Sequence, residues 1–150
     1  MMIPLGYQVR ELRLDDYEND YLETLKELTT VGMVSYENFA QVFKQWQALP
    51  DIYHARVIVN EHGKVVASGM LLIEQKAIHN CGKVGHIEDI AVAGNERGKK
   101  LGYLMIEHLT ETARQKGCYK VILDCSTHNE TFYKKCGYHN AGIEMVKRFP

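Results

Sequence analysis

The chain has 150 residues, of which 45% are hydrophobic and 25% are charged. This is the size and composition of a folded domain that buries its own apolar core, and we expect one domain over 1–150. Eighteen basic and 19 acidic side chains leave a formal net charge of −1, which argues against a general nucleic-acid-binding or membrane-surface protein. Any recognition of phosphate must therefore be local.

Signals for export, membrane insertion and metal binding are not found in the sequence. The first 20 residues contain no charged leader followed by an apolar stretch, and no apolar run approaches the ~18 residues of a spanning helix. We therefore expect an intracellular protein, with the cytoplasm favoured over an organelle. The cysteines share no C-x-x-C spacing, so we expect reduced thiols and no metal. They are Cys81, Cys118, Cys125 and Cys136.

The first third of the chain predicts one strand and two helices. Apolar and polar residues alternate over 7–14, which is typical of a half-buried strand. Asp15 followed three residues later by Glu18 has the spacing of a capping box and predicts a helix that ends near Leu28. Ser35 can cap a second helix with one apolar face. That face consists of Phe39, Val42, Phe43 and Trp46.

The rest of the chain predicts strands interleaved with helices. The β-rich runs ARVIV and VVASGMLLI flank the turn sequence NEHGK, which predicts an antiparallel hairpin. A strand over 83–92 precedes a helix with an apolar face. That face consists of Leu101, Leu104, Leu109 and Ala113. The run YKVILDC predicts a short buried strand, followed by a helix from Thr127 or Asn129 to Gly137 and a last strand over 143–149.

The segment between the 83–92 strand and the next helix has the features of an anion site. A glycine-containing turn with Arg97, Lys99 and Lys100 leads into a helix N-terminus. Unpaired backbone N–H groups and the helix dipole favour a phosphate there. A solvated basic loop is the alternative. The sequence has neither the GK[ST] of a Walker loop nor a GxGxxG after the first strand, so these two cradles are excluded.

This loop resembles motif A of the GNAT acetyltransferase family, whose pattern is Gln/Arg-x-x-Gly-x-Gly/Ala. It reads RGKKLG over 97–102, with Lys100 where the middle glycine is usual; a loop that donates through its backbone accepts lysine there if its φ is negative. The resemblance implies acetyl-CoA as co-substrate and a GNAT fold of the α/β (α+β) class, with a mixed, mostly antiparallel twisted sheet and about four helices. The implied cofactor-binding residues are Ile90, Val92, Arg97, Gly98, Lys99, Lys100, Leu101, Gly102 and Asn129.

Nearly the whole chain resembles one branch of that family, the eukaryotic glucosamine 6-phosphate N-acetyltransferases. The matching strings are LKELTTVG, GHIEDIAV, RGKKLG, CYKVILDC and NETFYKKCGY. The resemblance implies transfer of an acetyl group from acetyl-CoA to the amine of glucosamine 6-phosphate, a step of UDP-N-acetylglucosamine biosynthesis. It also implies a homodimer with a shared acceptor site.

Two residues are candidates for catalysis by direct attack of the amine, since no Cys-His or Ser-His motif marks an enzyme nucleophile. Asp124 ends a predicted strand, where its carboxylate can accept a hydrogen bond from the ammonium; capping the next helix is the alternative. Tyr133 has an unperturbed pKa of ~10, so it is protonated at neutral pH and can donate to the departing thiolate. A tyrosine there is by itself more typical of a helix core, and its catalytic role is implied by the resemblance.

The acceptor site is expected to use further residues. Glu88 and Asp89 would point to opposite faces of a strand, so they are not expected to act as a paired acid and base, but at least one can hold the sugar hydroxyls or the amine. The resemblance implies an oxyanion donor at the Ile90 N–H, an acceptor contact from Thr29, and a phosphate contact from Arg148 across a dimer. A solvated tail is the alternative for Arg148.

Two other functions stay open from the sequence. The same fold could acetylate a polyamine or a protein N-terminus. The loop alone would also permit a non-catalytic acyl-CoA-binding regulatory module. Turnover with a defined amine separates these alternatives from an amino-sugar acetyltransferase.

Overall fold

A five-stranded sheet forms the centre of the fold in the computed structural model, which describes residues 2–150. The strands lie side by side in chain order; three neighbouring pairs are antiparallel and the last pair is parallel. The predicted mixed, mostly antiparallel sheet is therefore confirmed. The strands are β1 (Gln8–Glu11), β2 (Tyr53–Val59), β3 (Val65–Gln75), β4 (Lys83–Val92) and β5 (Cys118–Ile122).

Five α-helical segments accompany the sheet within residues 2–150, against about four helices expected. They are α1 (Tyr21–Leu25), α2 (Tyr36–Ala48), α3 (Ile78–Cys81), α4 (Leu101–Gln115) and α5 (Glu130–Lys135). The additional segment is α3, a single turn in which His79 and Asn80 have left-handed backbone angles. Within residues 2–150, none of the helices has the length and apolar character of a membrane span.

The β2–β3 hairpin forms as its turn sequence predicts. The side-chain oxygen of Asn60 accepts hydrogen bonds from the backbone N–H groups of His62 at 2.9 Å and Lys64 at 3.0 Å. Gly63 has a φ of +74°, a conformation that glycine adopts without the strain of a Cβ atom. The turn therefore directs β3 back along β2.

Two apolar clusters cover opposite faces of the sheet. Ile58 belongs to the cluster under α4, whereas its neighbour Val57 belongs to the cluster under α2, and successive strand residues point to opposite faces. The predicted apolar face of α4 is confirmed, since all four of its residues are buried. Burial of these faces supplies the main driving force for folding, at roughly 25 cal/mol per Å² of apolar surface.

The second predicted helix is confirmed with a narrower apolar face. The Ser35 hydroxyl accepts a hydrogen bond from the Asn38 N–H at 3.1 Å and so caps α2. Phe39 and Phe43 are 3% and 8% exposed, but Val42 is 40% exposed. The prediction for Val42 was wrong, because Phe39, Phe43 and Trp46 pack in the apolar cluster on the sheet and Val42 does not belong to that cluster.

The single helix predicted from Asp15 to Leu28 is instead a 3₁₀ turn (Leu14–Glu18) followed by α1. The helix is interrupted between these two segments because Asp20 adopts a left-handed φ of +71°. The predicted Asp15–Glu18 capping box was also wrong. Asp16 is the buried carboxylate, and it accepts from the Arg13 N–H at 2.8 Å and pairs with Arg10 at 2.8 Å. A buried carboxylate requires such partners, and satisfying them sets the path of the chain here.

Strands β4 and β5 pair over four positions only, the last of which joins His86 to Ile122. The rest of β4, including Glu88 and the residues that lead into the 97–102 loop, has no β5 partner. The sheet therefore opens between the two strands on the side where the candidate catalytic residues lie.

The last strand predicted over 143–149 was wrong. Residues 139–150, which we call the C-terminal arm, have no regular secondary structure and are all exposed. Ile143 and Met145 are each 90% exposed. A strand needs a hydrogen-bonding neighbour, and the arm does not pair with β5 of its own chain. Consequently β5 is less buried than predicted, with Ile122 41% exposed.

Candidate active site

A bulge in β4 forms one wall of the candidate site. The β3–β4 register shifts so that Gly69 faces both Asp89 and Ile90. Asp89 has a left-handed φ of +56°, and a Cβ on Gly69 would lie 2.7 Å from the Ile90 Cδ1 atom. An extra residue in one strand interrupts the ladder of hydrogen bonds and bends the strand. This position is compatible with the predicted role of the Ile90 N–H as an oxyanion donor.

The 97–102 loop passes through two left-handed conformations before α4 begins. Gly98 has a φ of +88° and Lys100 a φ of +62°. The first bond of α4 runs from the Leu104 N–H to the Lys100 carbonyl at 3.0 Å, so the N–H groups of its first turn have no partner inside the helix. Those donors and the loop's basic residues suit a diphosphate. A Cβ on Gly98 would meet nothing within 4 Å, so the loop is open on that side.

Lysine was expected from the sequence to fit position 100 if its φ were negative. The φ of Lys100 is positive, so that condition is not met. A left-handed conformation costs a residue with a Cβ about 1–2 kcal/mol, and glycine, the usual family residue here, avoids this cost. We therefore expect Lys100→Gly to raise the free energy of unfolding by about 0.5–1 kcal/mol, after allowing for the extra backbone entropy of unfolded glycine. Urea denaturation measures the change as a higher midpoint at constant slope.

Lys116 provides the matched control for that measurement. It ends α4 with a φ of −82°, so its replacement by glycine relieves no strain. Lys116→Gly is expected to lower the free energy of unfolding by about 0.5–1 kcal/mol. A Lys100→Gly variant as destabilised as this control would contradict the strain argument.

Two carboxylates pair with the basic residues of the loop. Glu96 accepts a hydrogen bond from the Lys99 ammonium at 2.5 Å, and Glu27 forms a 3.5 Å ion pair with Arg97. Both cations were predicted to bind the cofactor. The structure places them at the loop as predicted, with their side chains already paired to protein carboxylates.

Helix α5 packs near the start of α4 and carries Tyr133. Its neighbour Phe132 lies against the loop, because a Cβ on Gly102 would be 3.5 Å from both the Phe132 and the Val92 side chains. The Tyr133 and Phe132 rings meet edge to face with centroids 5.0 Å apart. Burial raises the pKa of the Tyr133 phenol, so this group stays protonated at neutral pH and remains a hydrogen-bond donor.

Carboxylates from several segments converge beside the opening of the sheet. The pKa of Glu88 is raised, first by burial and then by the negative charges of Asp89, Asp124 and Glu144. These groups are therefore close enough for their charges to interact, and the structure brings together three residues predicted for the acceptor side. The bulge interrupts the strict alternation that was assumed for Glu88 and Asp89. Such a cluster attracts a cation such as a protonated amine.

A cleft of about 680 Å³ lies next to Glu88. Its lining includes Leu72, Glu74 and His86, and the His86 Nε2 atom lies 2.9 Å from a Glu74 carboxylate oxygen. The lining of the cleft thus combines apolar and charged side chains, and it includes Glu88 of the acidic cluster.

The alternative role of Asp124 as a helix cap is not seen. The next element is a 3₁₀ turn (Thr127–Asn129) whose N-cap is Ser126. Asp124 is exposed and makes no side-chain hydrogen bond or ion pair within residues 2–150. Its carboxylate is therefore available to a ligand. Asn129, predicted to contact the cofactor, donates from its side chain to the Ser126 hydroxyl at 3.3 Å.

Thr29 and Arg148 occupy different surroundings. The Thr29 N–H donates to the Leu25 carbonyl at 3.3 Å at the end of α1. Two residues before Thr29, the Glu27 carboxylate accepts a hydrogen bond from the Gly94 N–H at 3.3 Å. This segment therefore lies beside the chain that leads into the 97–102 loop. Arg148 is an exposed residue of the C-terminal arm, and no hydrogen bond or ion pair joins it to the rest of residues 2–150.

Three residues that contact the loop were missed by the sequence analysis: Tyr7, Glu27 and Glu96. Tyr7 and Glu96 are 89 positions apart and share no spacing rule. In the sequence, Glu27 and Glu96 are typical of charged residues on a solvated surface. The fold brings Tyr7 and Glu27 to the loop, whereas Glu96 directly precedes the loop in the sequence and lies three residues before Lys99.

The chain has relatives that match it along nearly its whole length. Residues 7–138 match the acetyltransferase (GNAT) family, and the chain belongs to this family. It is 60% identical over 149 residues to the glucosamine 6-phosphate N-acetyltransferase of Candida albicans, covering 99% of this chain and 100% of that protein. It is 42% identical to the Arabidopsis thaliana protein of the same name, covering 95% and 97% of the two chains.

The fold agrees with a solved structure as well. The crystal structure of glucosamine-6-phosphate N-acetyltransferase from Arabidopsis thaliana matches with a TM-score of 0.93 at 42% identity, covering 96% of this chain and 99% of that one. The resemblance and the GNAT fold predicted from the sequence are both confirmed. Members of this family use acetyl-CoA. Within residues 2–150, no group of three or more His, Cys, Asp or Glu side chains is arranged to hold a metal ion.

Proposed function

We propose that this protein transfers the acetyl group of acetyl-CoA to the amine of glucosamine 6-phosphate, giving N-acetylglucosamine 6-phosphate and CoA. The observation that carries the proposal is the 60% identity, from end to end, with a glucosamine 6-phosphate N-acetyltransferase. The product is a precursor suited to UDP-N-acetylglucosamine synthesis. The site fits the chemistry, because it combines an anion-binding loop with a group of carboxylates next to it.

Acetyl-CoA supplies an acetyl group activated as a thioester. The backbone N–H groups of the 97–102 loop and of the first turn of α4 would bind its diphosphate, because helix N-termini favour anions. Ile90 and Val92 on β4 and Asn129 before α5 would contact the rest of the cofactor. The bulge at Ile90 supports an N–H donor for the carbonyl oxygen, since bulged residues leave the strand ladder.

In this proposal the amine attacks the acetyl group directly in a ternary complex. The Asp124 carboxylate accepts a hydrogen bond from the ammonium and helps to guide its proton away, while Glu88 or Asp89 holds the sugar. Tyr133 donates a hydrogen bond to the leaving sulfur, a role supported by its raised pKa. No acetylated enzyme residue is required.

The phosphate of the acceptor needs a positive group, which the acidic cluster does not provide. We propose that Arg148 of the partner subunit provides it in a homodimer. The C-terminal arm supports this arrangement, because Ile143 and Met145 within it are each 90% exposed in the single chain, and exposed apolar side chains of this kind suit an interaction surface. Thr29 would contact the acceptor. It follows Glu27 by two residues, and Glu27 pairs with Arg97 of the 97–102 loop.

We further propose that residues 1–150 form one catalytic domain that works in the cytoplasm. Both apolar clusters pack on the same sheet, which supports a single domain. The four cysteines are free thiols, and exposed thiols persist in a reducing compartment.

A polyamine is the second candidate acceptor, because a cluster of Glu88, Asp89, Asp124 and Glu144 suits any amine cation. The deciding experiment compares thiol release from acetyl-CoA with glucosamine 6-phosphate, glucosamine and spermidine. Loss of a charge-assisted phosphate contact costs about 1.5–3 kcal/mol, so kcat/KM for glucosamine should be about 10–100-fold lower. Equal rates for the two sugars would contradict phosphate recognition. A preference for spermidine would favour the second candidate, and no turnover with any amine would favour a binding module.

A further inference from the structure

Three polar side chains at the 97–102 loop are all hydrogen-bonded to one another. The Tyr7 hydroxyl donates to a Glu96 carboxylate oxygen at 2.5 Å, and the Lys99 ammonium donates to the same oxygen at 2.5 Å. The Lys99 ammonium also donates to the Tyr7 hydroxyl oxygen at 2.9 Å. We call these three residues the Tyr7–Glu96–Lys99 cluster. Each member contacts both of the others.

The hydrogen bonds within the cluster favour the charged forms of Glu96 and Lys99. The Glu96 side chain is only 11% exposed, although carboxylates usually face water. Its pKa is lowered, first by the hydrogen bond from Lys99 and then by the bond from Tyr7, and the pKa of Lys99 is raised by the same contacts. The Lys99 ammonium also lies 5.5 Å from the centre of the Tyr7 ring, within the range of a cation–π contact.

The cluster joins residues on both sides of Gly98. Glu96 ends the 3₁₀ turn Gly94–Glu96, and Lys99 follows three residues later. Gly98 lies between them with a φ of +88°. Glycine has many backbone conformations available, so the bond from Lys99 to Glu96 restricts this segment, and Tyr7 ties it to the chain preceding β1.

We propose that Tyr7 is a positioning residue for acetyl-CoA, which holds the loop through Glu96 and Lys99 with its N–H groups already arranged for a diphosphate. The Lys99 side chain is then a structural tie, and Lys99 serves the cofactor through its backbone. This inference rests on the proposed use of acetyl-CoA. Ordering a backbone residue costs about 1–2 kcal/mol, and a preformed loop avoids that cost at the moment of binding.

The test is a set of cofactor affinities measured without any acceptor. Isothermal titration calorimetry gives the Kd of acetyl-CoA for the wild-type protein, Tyr7→Phe, Lys99→Met and the double variant. Phenylalanine keeps the ring and removes only the hydroxyl. We expect each single variant to raise Kd about 5–10-fold, and the double variant to be no weaker than the weaker single variant, because residues of one network are not additive. Lys99→Arg, which retains the charge and the donors, should restore most of the affinity.

Kinetics separate a positioning role from general damage. Tyr7→Phe should raise the KM for acetyl-CoA while kcat at saturating cofactor stays within about twofold, since catalysis follows once the loop is bound. Tyr36→Phe is the matched control; Tyr36 lies on α2 with 43% exposure, and it should change neither value. Glu96→Gln is a second variant that removes the charge at the centre of the cluster and should raise Kd at least as much as Tyr7→Phe.

The outcomes are distinct. An unchanged Kd in Tyr7→Phe and Glu96→Gln would overturn the inference. A large loss in Lys99→Met with none in Tyr7→Phe would do the same, because it would mark Lys99 as a direct phosphate ligand. If wild type binds acetyl-CoA but does not acetylate glucosamine 6-phosphate, the proposed acceptor fails while the Kd comparison still tests Tyr7.

Discussion

Asp124→Asn is expected to lower kcat for acetylation of glucosamine 6-phosphate by about 10²–10³-fold, the usual effect of removing a group that manages proton transfer. Asparagine keeps the size of the side chain but cannot accept a proton or balance the ammonium charge. Asp124 makes no hydrogen bond or ion pair within residues 2–150, so folding should be unaffected. The measurement is thiol release at saturating acetyl-CoA, with thermal unfolding recorded for each variant.

Tyr133→Phe completes this test. The hydroxyl is removed while the ring that meets Phe132 edge to face is kept, and we expect about a 10²-fold lower kcat. Asp15→Asn is the control, because Asp15 is an exposed carboxylate remote in sequence from the site and should leave the rate unchanged. Full turnover by both Asp124→Asn and Tyr133→Phe would mean that the catalytic assignment is wrong.

Arg148→Ala is expected to raise the KM for glucosamine 6-phosphate by about 10–100-fold, with little change in the KM for acetyl-CoA. A charge-assisted hydrogen bond to phosphate contributes about 1.5–3 kcal/mol. Unphosphorylated glucosamine should be used almost equally by the variant and the wild type. Lys134→Ala removes a comparably exposed cation on α5 and serves as the control.

Mixing two impaired variants tests whether Arg148 acts across a dimer, when turnover is assayed at glucosamine 6-phosphate concentrations well below the KM of Arg148→Ala. Refolding Asp124→Asn together with Arg148→Ala in equal amounts would produce half heterodimers, each with one complete site and one doubly damaged site. About one quarter of wild-type activity should return. No recovery, or sedimentation as a monomer at the assay concentration, would contradict a shared site.

Several elements were predictable because their signals are local. Strand β4 was expected over 83–92 and is found with those bounds, and the α4 face at Leu101, Leu104, Leu109 and Ala113 is buried as expected. A side chain's place on a strand or helix follows from spacings of two to four residues. The hairpin at NEHGK and the cap at Ser35 have the same kind of signal.

Other elements depended on contacts between distant segments, which the spacing of residues along the sequence does not indicate. Asp16 rather than Asp15 became the buried carboxylate because Arg10 lies beside it in the fold. Lys100 took a positive φ because the loop must turn into α4 at that point. The strand expected over 143–149 has the right alternation but no neighbouring strand in its own chain.

The candidate site shows the same division. Motif A, Asp124 and Tyr133 could be selected as candidates from their order along the chain, and the resemblance to the GNAT family implied acetyl-CoA as co-substrate; the roles of these residues stay predictions. Tyr7 and Glu27 were not recognisable, because each contacts the loop from a distant segment. Glu96 adjoins the loop in the sequence, but its hydrogen bond with Tyr7 depends on the fold.

The sequence by itself determined the class of protein, the position of the candidate cofactor-binding loop and most strand and helix positions, because periodicity and motif order are properties of neighbouring residues. Only the tertiary structure decided the bulge at Asp89 and Ile90, the convergence of Glu88 with Asp124, and the cluster that ties Tyr7 to the loop. These features depend on which segments meet across the sheet, and hydrogen bonds and charges act between side chains that meet in space, however far apart they lie in the chain.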